Sequence, residues 1–215
     1  MQLFNRSPKT NGAGSGARPT PSAIQFLLTQ PRTRANGNGG GSVIAFTSAN
    51  AGAGVSHVVK KLAAQLAAQT HRPTAIVEAE RLASLHPHDL TDLRSQCART
   101  NIDQLWMLRK SSNGNGHPAT ALNGSETSAG IDWVQQLRST FSHTLVDCPP
   151  INDSPEAPYL ASHVDGVVLV VEADQTKRDQ ILRARQAIER AGGSLMGVVL
   201  NKRRHLVPEW LYRIL

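Results

Sequence analysis

The segment "SANAGAGVSH", residues 48 to 57, contains residue types that bind phosphate. Gly52 and Gly54 would let backbone amides converge on an anion, and Ser56 has a hydroxyl of the kind that holds magnesium. Val55 stands where such a loop carries its lysine, so the loop lacks its full positive charge. The candidate nucleotide-binding residues are Gly52, Ala53, Gly54, Val55, Ser56 and His57, with Asn201 from a later strand.

Nearby side chains offer little compensation for the missing charge. Neither Asn50 nor His57 supplies a dependable cation, and Lys60 and Lys61 lie more than one turn into the following helix. We therefore expect that none of them replaces the loop lysine. Because charge on a transferred phosphoryl group is stabilised mainly by fixed cations, the loop predicts weak phosphate binding and poor turnover.

Three carboxylates follow apolar runs and are candidates for catalysis if the chain is active. Asp147 ends "TLVD", where a carboxylate at the C-terminal end of a central parallel strand faces the ligand crevice. We expect Asp147 and Ser56 to hold Mg²⁺, with a loop cap as the alternative for Asp147. Glu78 and Glu80 either reach the metal or form a solvated pair. Asn201, after "GVVL", would bind an adenine edge.

Strand and helix patterns alternate along the chain. Continuous apolar runs such as "SVIAFTSA" and "VDGVVLVVEAD" are typical of parallel strands buried on both faces, and "VSHVVKKLAAQLAAQT" has helical apolar spacing. Low aromatic content, 4% of 215 residues, favours a core of small aliphatic side chains. The sequence predicts an α/β fold with a doubly wound, mostly parallel sheet flanked by helices.

The chain divides into a leader and one domain. Residues 1–40 contain five basic residues, no acidic residue and many chain breakers, which predicts a disordered basic leader. The leader either attracts the protein to anionic lipid or keeps it soluble. Residues 41–215 form the predicted domain, interrupted by a flexible low-complexity loop at 110–130.

Charge, hydropathy and cysteine usage exclude several classes of protein. The net charge of +7 is concentrated in the leader, so no specific nucleic-acid partner is expected. No apolar run approaches membrane-span length, and Cys97 and Cys148 are isolated. We expect a cytoplasmic protein with reduced thiols, with peripheral association at the inner face of the membrane left open.

Several stretches together resemble the bacterial tyrosine kinases of capsule and exopolysaccharide synthesis, which belong with the partition and septum-placement ATPases. The resemblance covers about residues 41 to 215. It rests on four segments, "VIAFTSANAGAGVSHVVKKLA", "AIVEAE", "TLVDCPP" and "DGVVLVVEADQTKRDQILRARQAIERAGGSLMGVVLNK". It implies a P-loop NTPase fold that uses ATP and Mg²⁺, and a transmembrane co-polymerase-like activator as partner. Self-association is also left open.

Departures from the family pattern weaken the case for chemistry. Val55 replaces the ATP-binding lysine, Glu78 and Glu80 replace two aspartates, and Leu82 stands at the place of an arginine that here comes one residue earlier. Tyr212 stands alone where the family has a tyrosine cluster. We therefore favour a degenerate, kinase-like regulator of polysaccharide polymerisation or export over an active autokinase. A partition-type ATPase is disfavoured because Asn50 replaces its additional lysine.

Overall fold

The computed structural model describes residues 2–4, 40–83, 93–109, 127–154 and 156–202. The predicted loop at 110–130 lies outside these ranges up to residue 126, and its last four residues begin a helix instead. Most of the predicted leader, and Tyr212, also lie outside the described residues.

Within these ranges, eight strands form one sheet. They are β1 (Gln2–Phe4), β2 (Ser42–Ser48), β3 (Thr74–Glu78), β4 (Cys97–Arg99), β5 (Leu105–Leu108), β6 (His143–Asp147), β7 (Gly166–Glu172) and β8 (Leu195–Asn201). Their spatial order is β1-β8-β7-β2-β6-β3-β5-β4. Only β1 and β4, at the two edges, pair antiparallel to their neighbours. The predicted mostly parallel, doubly wound sheet is confirmed.

Strand β1 was not expected. Its three residues pair antiparallel with β8, in register with residues 198 to 200, so this part of the predicted disordered leader is ordered. The physical reason is that the edge strand β8 offers unpaired backbone groups, which an additional strand satisfies.

Five helices connect the strands within the described ranges. They are α1 (Val55–Thr70), α2 (Ala79–Ala83), α3 (Thr127–Thr140), α4 (Glu156–Ala161) and α5 (Arg178–Arg190). The apolar spacing predicted for α1 is confirmed, since its buried side chains are Val55, Val58, Val59, Leu62, Ala63, Leu66 and Ala67. Helix α1 ends at Thr70, and its C-cap residue His71 adopts the left-handed conformation that often terminates a helix.

The core has two parts, one on each face of the sheet. Along β2, Val43 and Ala45 belong to one cluster, whereas Ile44 and Phe46 belong to the other. Successive strand side chains point to opposite faces, so a strand buried on both faces must be apolar throughout. Helix α1 covers one face, and α3, α4 and α5 contribute to the cluster on the other.

A buried ion pair joins α3 to the N-terminal ends of β2 and β7. Arg138 contacts Asp165 through two bonds of 2.7 and 2.9 Å, and the two side chains are only 10% and 5% exposed. Arg138 also donates to the carbonyl oxygen of Gly41 at 3.0 Å, and Asp165 accepts the amide of Val43 at 2.8 Å. The pair therefore fixes the edge of the sheet opposite the strand C-termini.

Replacing Arg138 with methionine is expected to lower the free energy of unfolding by about 3–5 kcal/mol, because it leaves the Asp165 carboxylate buried without its cation. Urea unfolding would measure the change. Arg183→Met is the matched control, since its pair with Asp179 is more than 60% exposed on both sides and is expected to contribute less than about 1 kcal/mol. Equal losses of unfolding free energy in the two variants would contradict the conclusion that the buried Arg138–Asp165 pair stabilises the fold.

Candidate nucleotide-binding site

The loop between β2 and α1 has the backbone conformation of an anion-binding turn. Gly52 and Gly54 have φ angles of 83° and 85°, in the left-handed region that favours glycine. Gly54 is the N-cap of α1 and makes no side-chain cap, so the first amides of the helix are open to a ligand. No acidic residue lies in the first turn of α1, and the positive end of the helix dipole therefore favours an anion there.

Three side-chain amides hold this loop from other parts of the chain. The bonds run from Asn152 Nδ2 to the carbonyl oxygen of Ala49 (3.1 Å), from Asn50 Nδ2 to Oε1 of Gln180 (3.0 Å) and from Asn201 Nδ2 to the carbonyl oxygen of Ala53 (2.9 Å). The anchors come from the loop after β6, from α5 and from the end of β8. The loop is thus positioned by its surroundings before any ligand binds.

A cleft of about 500 Å³ opens beside the loop. Among its lining residues are eight that the sequence predicts for the site, namely Gly52, Ala53, Gly54, Val55, Ser56, Glu78, Glu80 and Asp147. Two other predicted residues, His57 and Asn201, are not part of this lining. The lining also includes residues that the sequence analysis did not select: Ser48, Ala51, Lys60, Ala79, Cys148, Pro149 and Pro150.

Asn201 has a structural partner that the sequence did not reveal. Its amide nitrogen donates to the loop, and it lies so close to Gly54 that a Cβ on that glycine would stand 2.5 Å from Nδ2. Asn201 therefore anchors the loop, and its predicted contact with adenine stays a prediction. The local sequence gives no sign of this contact, because Asn201 and Ala53 are 148 residues apart.

The carboxylates meet at the C-terminal edge of the sheet. Glu78 on β3 is directly in register with Asp147 on β6, as expected for neighbouring parallel strands. Burial raises the pKa of Asp147 above its ordinary value of 3.8, and the negative charges of Glu78 and Glu80 act in the same direction. A hydrogen bond from the Ser56 hydroxyl and the positive charge of Lys60 oppose this rise.

Glu78 is partly neutralised by an arginine of α2. Arg81 Nε lies 2.8 Å from Glu78 Oε2, and its Nη1 donates to the carbonyl oxygen of Leu108 at 2.7 Å. The arginine that stands one position early in the sequence thus still reaches the site edge. Glu80 is exposed, which agrees with the alternative that the glutamates are solvated. Glu78 differs, because it is half-buried and paired with Arg81.

Ser56 and Asp147 fit the chemistry of a magnesium site. Both line the cleft, so a hydroxyl and a carboxylate are available beside the glycine loop. Within the described ranges, no group of three or more His, Cys, Asp or Glu residues is arranged to hold a metal. Mg²⁺ commonly keeps waters and takes few protein ligands together with phosphate oxygens, so two protein ligands are sufficient.

Lys60 lies closer to the site than its place in the helix suggests, while the expectation that it does not replace the loop lysine stays a prediction. Lys60 lines the cleft, and its charge acts on Asp147. Lys60 lies four residues after Ser56, about 6 Å along the helix axis. Helical side chains point back toward the N-terminus over the preceding turn, and this direction offsets the axial distance. Lys61 is rotated by about 100° and is not part of the lining.

Sequence comparison finds relatives of one kind. Tyrosine-protein kinase CpsD of Streptococcus agalactiae is 27% identical over 176 residues, which cover 74% of this chain and 75% of that protein. The putative tyrosine-protein kinase CapB of Staphylococcus aureus is 33% identical over 86 residues, 39% of this chain and 38% of that protein. No family model matches the chain.

The chain is similar in sequence to the CpsD and CapB tyrosine-protein kinases. The similarity to these kinases confirms the resemblance derived from the four segments.

Solved structures show the same fold. The chimerical protein CapA2B2 has a TM-score of 0.60 at 23% identity, covering 84% of this chain and 80% of that one. The kinase domain of Escherichia coli tyrosine kinase ETK has a TM-score of 0.63 at 16% identity, covering 86% and 74%. The septum site-determining protein MinD of Pyrococcus horikoshii, solved with Mg-ADP, has a TM-score of 0.58 at 16% identity, covering 81% and 77%. The P-loop NTPase fold is therefore confirmed for this chain.

Adding a methyl group at Gly54 is expected to disturb the loop more than adding one at Gly52. Both glycines have positive φ, so each alanine variant carries a backbone cost of about 1–3 kcal/mol. Only at Gly54 does the new Cβ meet the Asn201 amide, whereas nothing lies within 4 Å at Gly52. Urea unfolding should therefore show a larger loss for Gly54→Ala than for Gly52→Ala, and the reverse order would refute the Asn201 anchor.

The raised pKa of Asp147 predicts a pH-dependent stability difference. In metal-free buffer the folded state holds the Asp147 proton more tightly than the unfolded state, so the contribution of Asp147 to stability falls as pH rises above 3.8. Asp147→Asn removes this contribution, and we expect the variant to gain stability relative to wild type between about pH 4 and about pH 7. Unfolding free energies measured across that range check the sign. A constant difference would count against a buried carboxylate.

Proposed function

We propose that this chain is a degenerate, kinase-like P-loop protein that regulates capsule or exopolysaccharide polymerisation or export, with weak or no ATP turnover. The observation that carries the proposal is Val55, which is 9% exposed and packs into the apolar cluster beneath the loop where the resemblance places a lysine. ATP, when bound, would bring the negative charge of its phosphoryl groups to this position. An aliphatic side chain cannot stabilise that charge.

The remainder of the site supports binding more than catalysis. The glycine conformations suit phosphate, and Ser56 and Asp147, which line the same cleft, suit Mg²⁺. Glu78 and Glu80, which stand at the places of two aspartates, differ in role: one pairs with Arg81 and the other is exposed to solvent. This combination supports nucleotide binding without efficient transfer of the phosphoryl group.

The proposed partner is a transmembrane, co-polymerase-like activator. Support comes from the relatives, which are named as CpsD and CapB kinases, and from the similar fold of the chimerical protein CapA2B2. Among the residues that the structure describes, no helix combines the length and apolar character needed to cross a membrane. We propose that the chain acts at the inner face of the membrane through this partner.

An active ATP-dependent tyrosine autokinase is the alternative function. It is favoured by one observation: Ser56 and Asp147 line the same cleft beside the glycine loop, where a magnesium-dependent P-loop enzyme has its metal-holding hydroxyl and carboxylate.

Restoring the loop lysine separates the two functions. Val55→Lys is expected to raise ATP turnover in Mg²⁺ at least about tenfold over wild type, because it adds the missing cation. Val55→Met is the matched control, with a long side chain but no charge, and is expected to leave turnover unchanged. Phosphate release and incorporation of labelled phosphate into the protein are the measurements.

Wild-type turnover on the order of 1 s⁻¹ or faster, the range of ordinary kinases, would overturn the regulator proposal in favour of the autokinase. A rise in Val55→Met equal to that in Val55→Lys would show that packing, and not charge, limits turnover.

A further inference from the structure

The cleft contains a cation that the loop itself lacks. Lys60 lines the cleft together with Ser56 and Asp147, although it belongs to the second turn of α1. Among the described residues, its ammonium forms no ion pair with a carboxylate, whereas the neighbouring cations are engaged. Arg81 pairs with Glu78 at 2.8 Å, and Lys202 pairs with Glu172 at 3.2 Å.

The position of Lys60 follows from helix geometry. It is four residues after Ser56, so both side chains lie on the same face of α1. A lysine there leans back along the helix toward the loop, with a flexible four-carbon stem that carries a compact charge. Val58 and Val59 are buried and face the core, whereas Lys60 is exposed on the cleft side of the helix.

The charges around Lys60 determine what it can bind. Once Arg81 has paired with Glu78, the charged groups that line the cleft are Asp147 and Glu80, with Lys60 as the opposing cation. A bound di- or triphosphate would add several negative charges beside these two carboxylates. The lysine ammonium is the charged group of this lining that can offset them, and its positive charge, which acts on Asp147, would also repel a divalent cation held there.

We propose that Lys60 replaces the missing loop lysine as the phosphate-contacting cation and takes over part of the role of Mg²⁺, so that this cleft binds nucleoside di- and triphosphates with little dependence on divalent metal. The inference rests on the proposed function, since it describes how the same degenerate site would bind its ligand. It assigns the site a mode of nucleotide binding in which the phosphate-contacting cation is part of α1 and not of the loop.

The test measures binding of ADP to the full chain by calorimetry, once in a chelator and once in Mg²⁺. Wild-type affinity is expected to change by less than about threefold between the two conditions. Lys60→Met retains the aliphatic stem and removes the charge, so it should weaken binding in the chelator by roughly tenfold to a hundredfold, the usual effect of losing a charged contact. Mg²⁺ should restore part of this loss.

Lys61→Met is the matched control, because it removes the same charge from the adjacent exposed position outside the cleft lining. It should bind ADP within about twofold of wild type in both conditions. A second measurement uses Mg²⁺ alone: titration without nucleotide should show tighter Mg²⁺ binding to Lys60→Met than to wild type or Lys61→Met. Urea unfolding of each variant confirms that it is folded.

Three results would overturn the inference. These are equal ADP affinity in Lys60→Met and Lys61→Met, wild-type binding that requires Mg²⁺, and no ADP binding by wild type in either condition. The last result leaves the regulator without turnover intact. Conversely, rapid wild-type ATP turnover removes the regulator proposal while the ADP affinities still decide the role of Lys60.

Discussion

The parallel register of β2, β6 and β3 is the constraint on which the site depends. It places Asp147 beside Phe46 on one side and beside Glu78 on the other, so the three strands end at the same edge of the sheet. The loop leaves β2 at this edge, and α1 begins there with its positive end toward the carboxylates. Because side chains alternate along a strand, a slip of one residue in β6 would turn Asp147 to the opposite face.

Elements buried on both faces were predictable from the sequence, whereas edge elements and distant contacts were not. Strand β2 and helix α1 each carry a pattern that fits one structure only, a continuous apolar run and a 3.6-residue period. The three-residue strands β1 and β4 are too short for any pattern and exist because a sheet edge accepts them. The glycines, Ser56 and Asp147 could be selected as candidates from the sequence because the predicted chemistry depends on their types and local order, and the structure brings them to one cleft.

Residues whose role depends on direction or tertiary contact were missed. Lys60 was set aside on axial distance alone, but a helical side chain extends toward the preceding turn and not perpendicular to the axis. Asn201 was assigned to a ligand because its partner, the carbonyl of Ala53, belongs to a distant part of the chain. The Arg138–Asp165 pair was likewise invisible, since neither residue lies in a recognisable motif and the pair forms only when α3 packs on the sheet.

The burial of Val55 means that restoring the loop lysine would change two properties of the site at once. Lysine at this position would withdraw a β-branched side chain from the cluster beneath the loop and would also place a second ammonium group in a cleft that already contains Lys60. The first change removes packing beneath the loop, and the second adds charge beside an existing cation. The same substitution is therefore expected to trade folding stability for turnover.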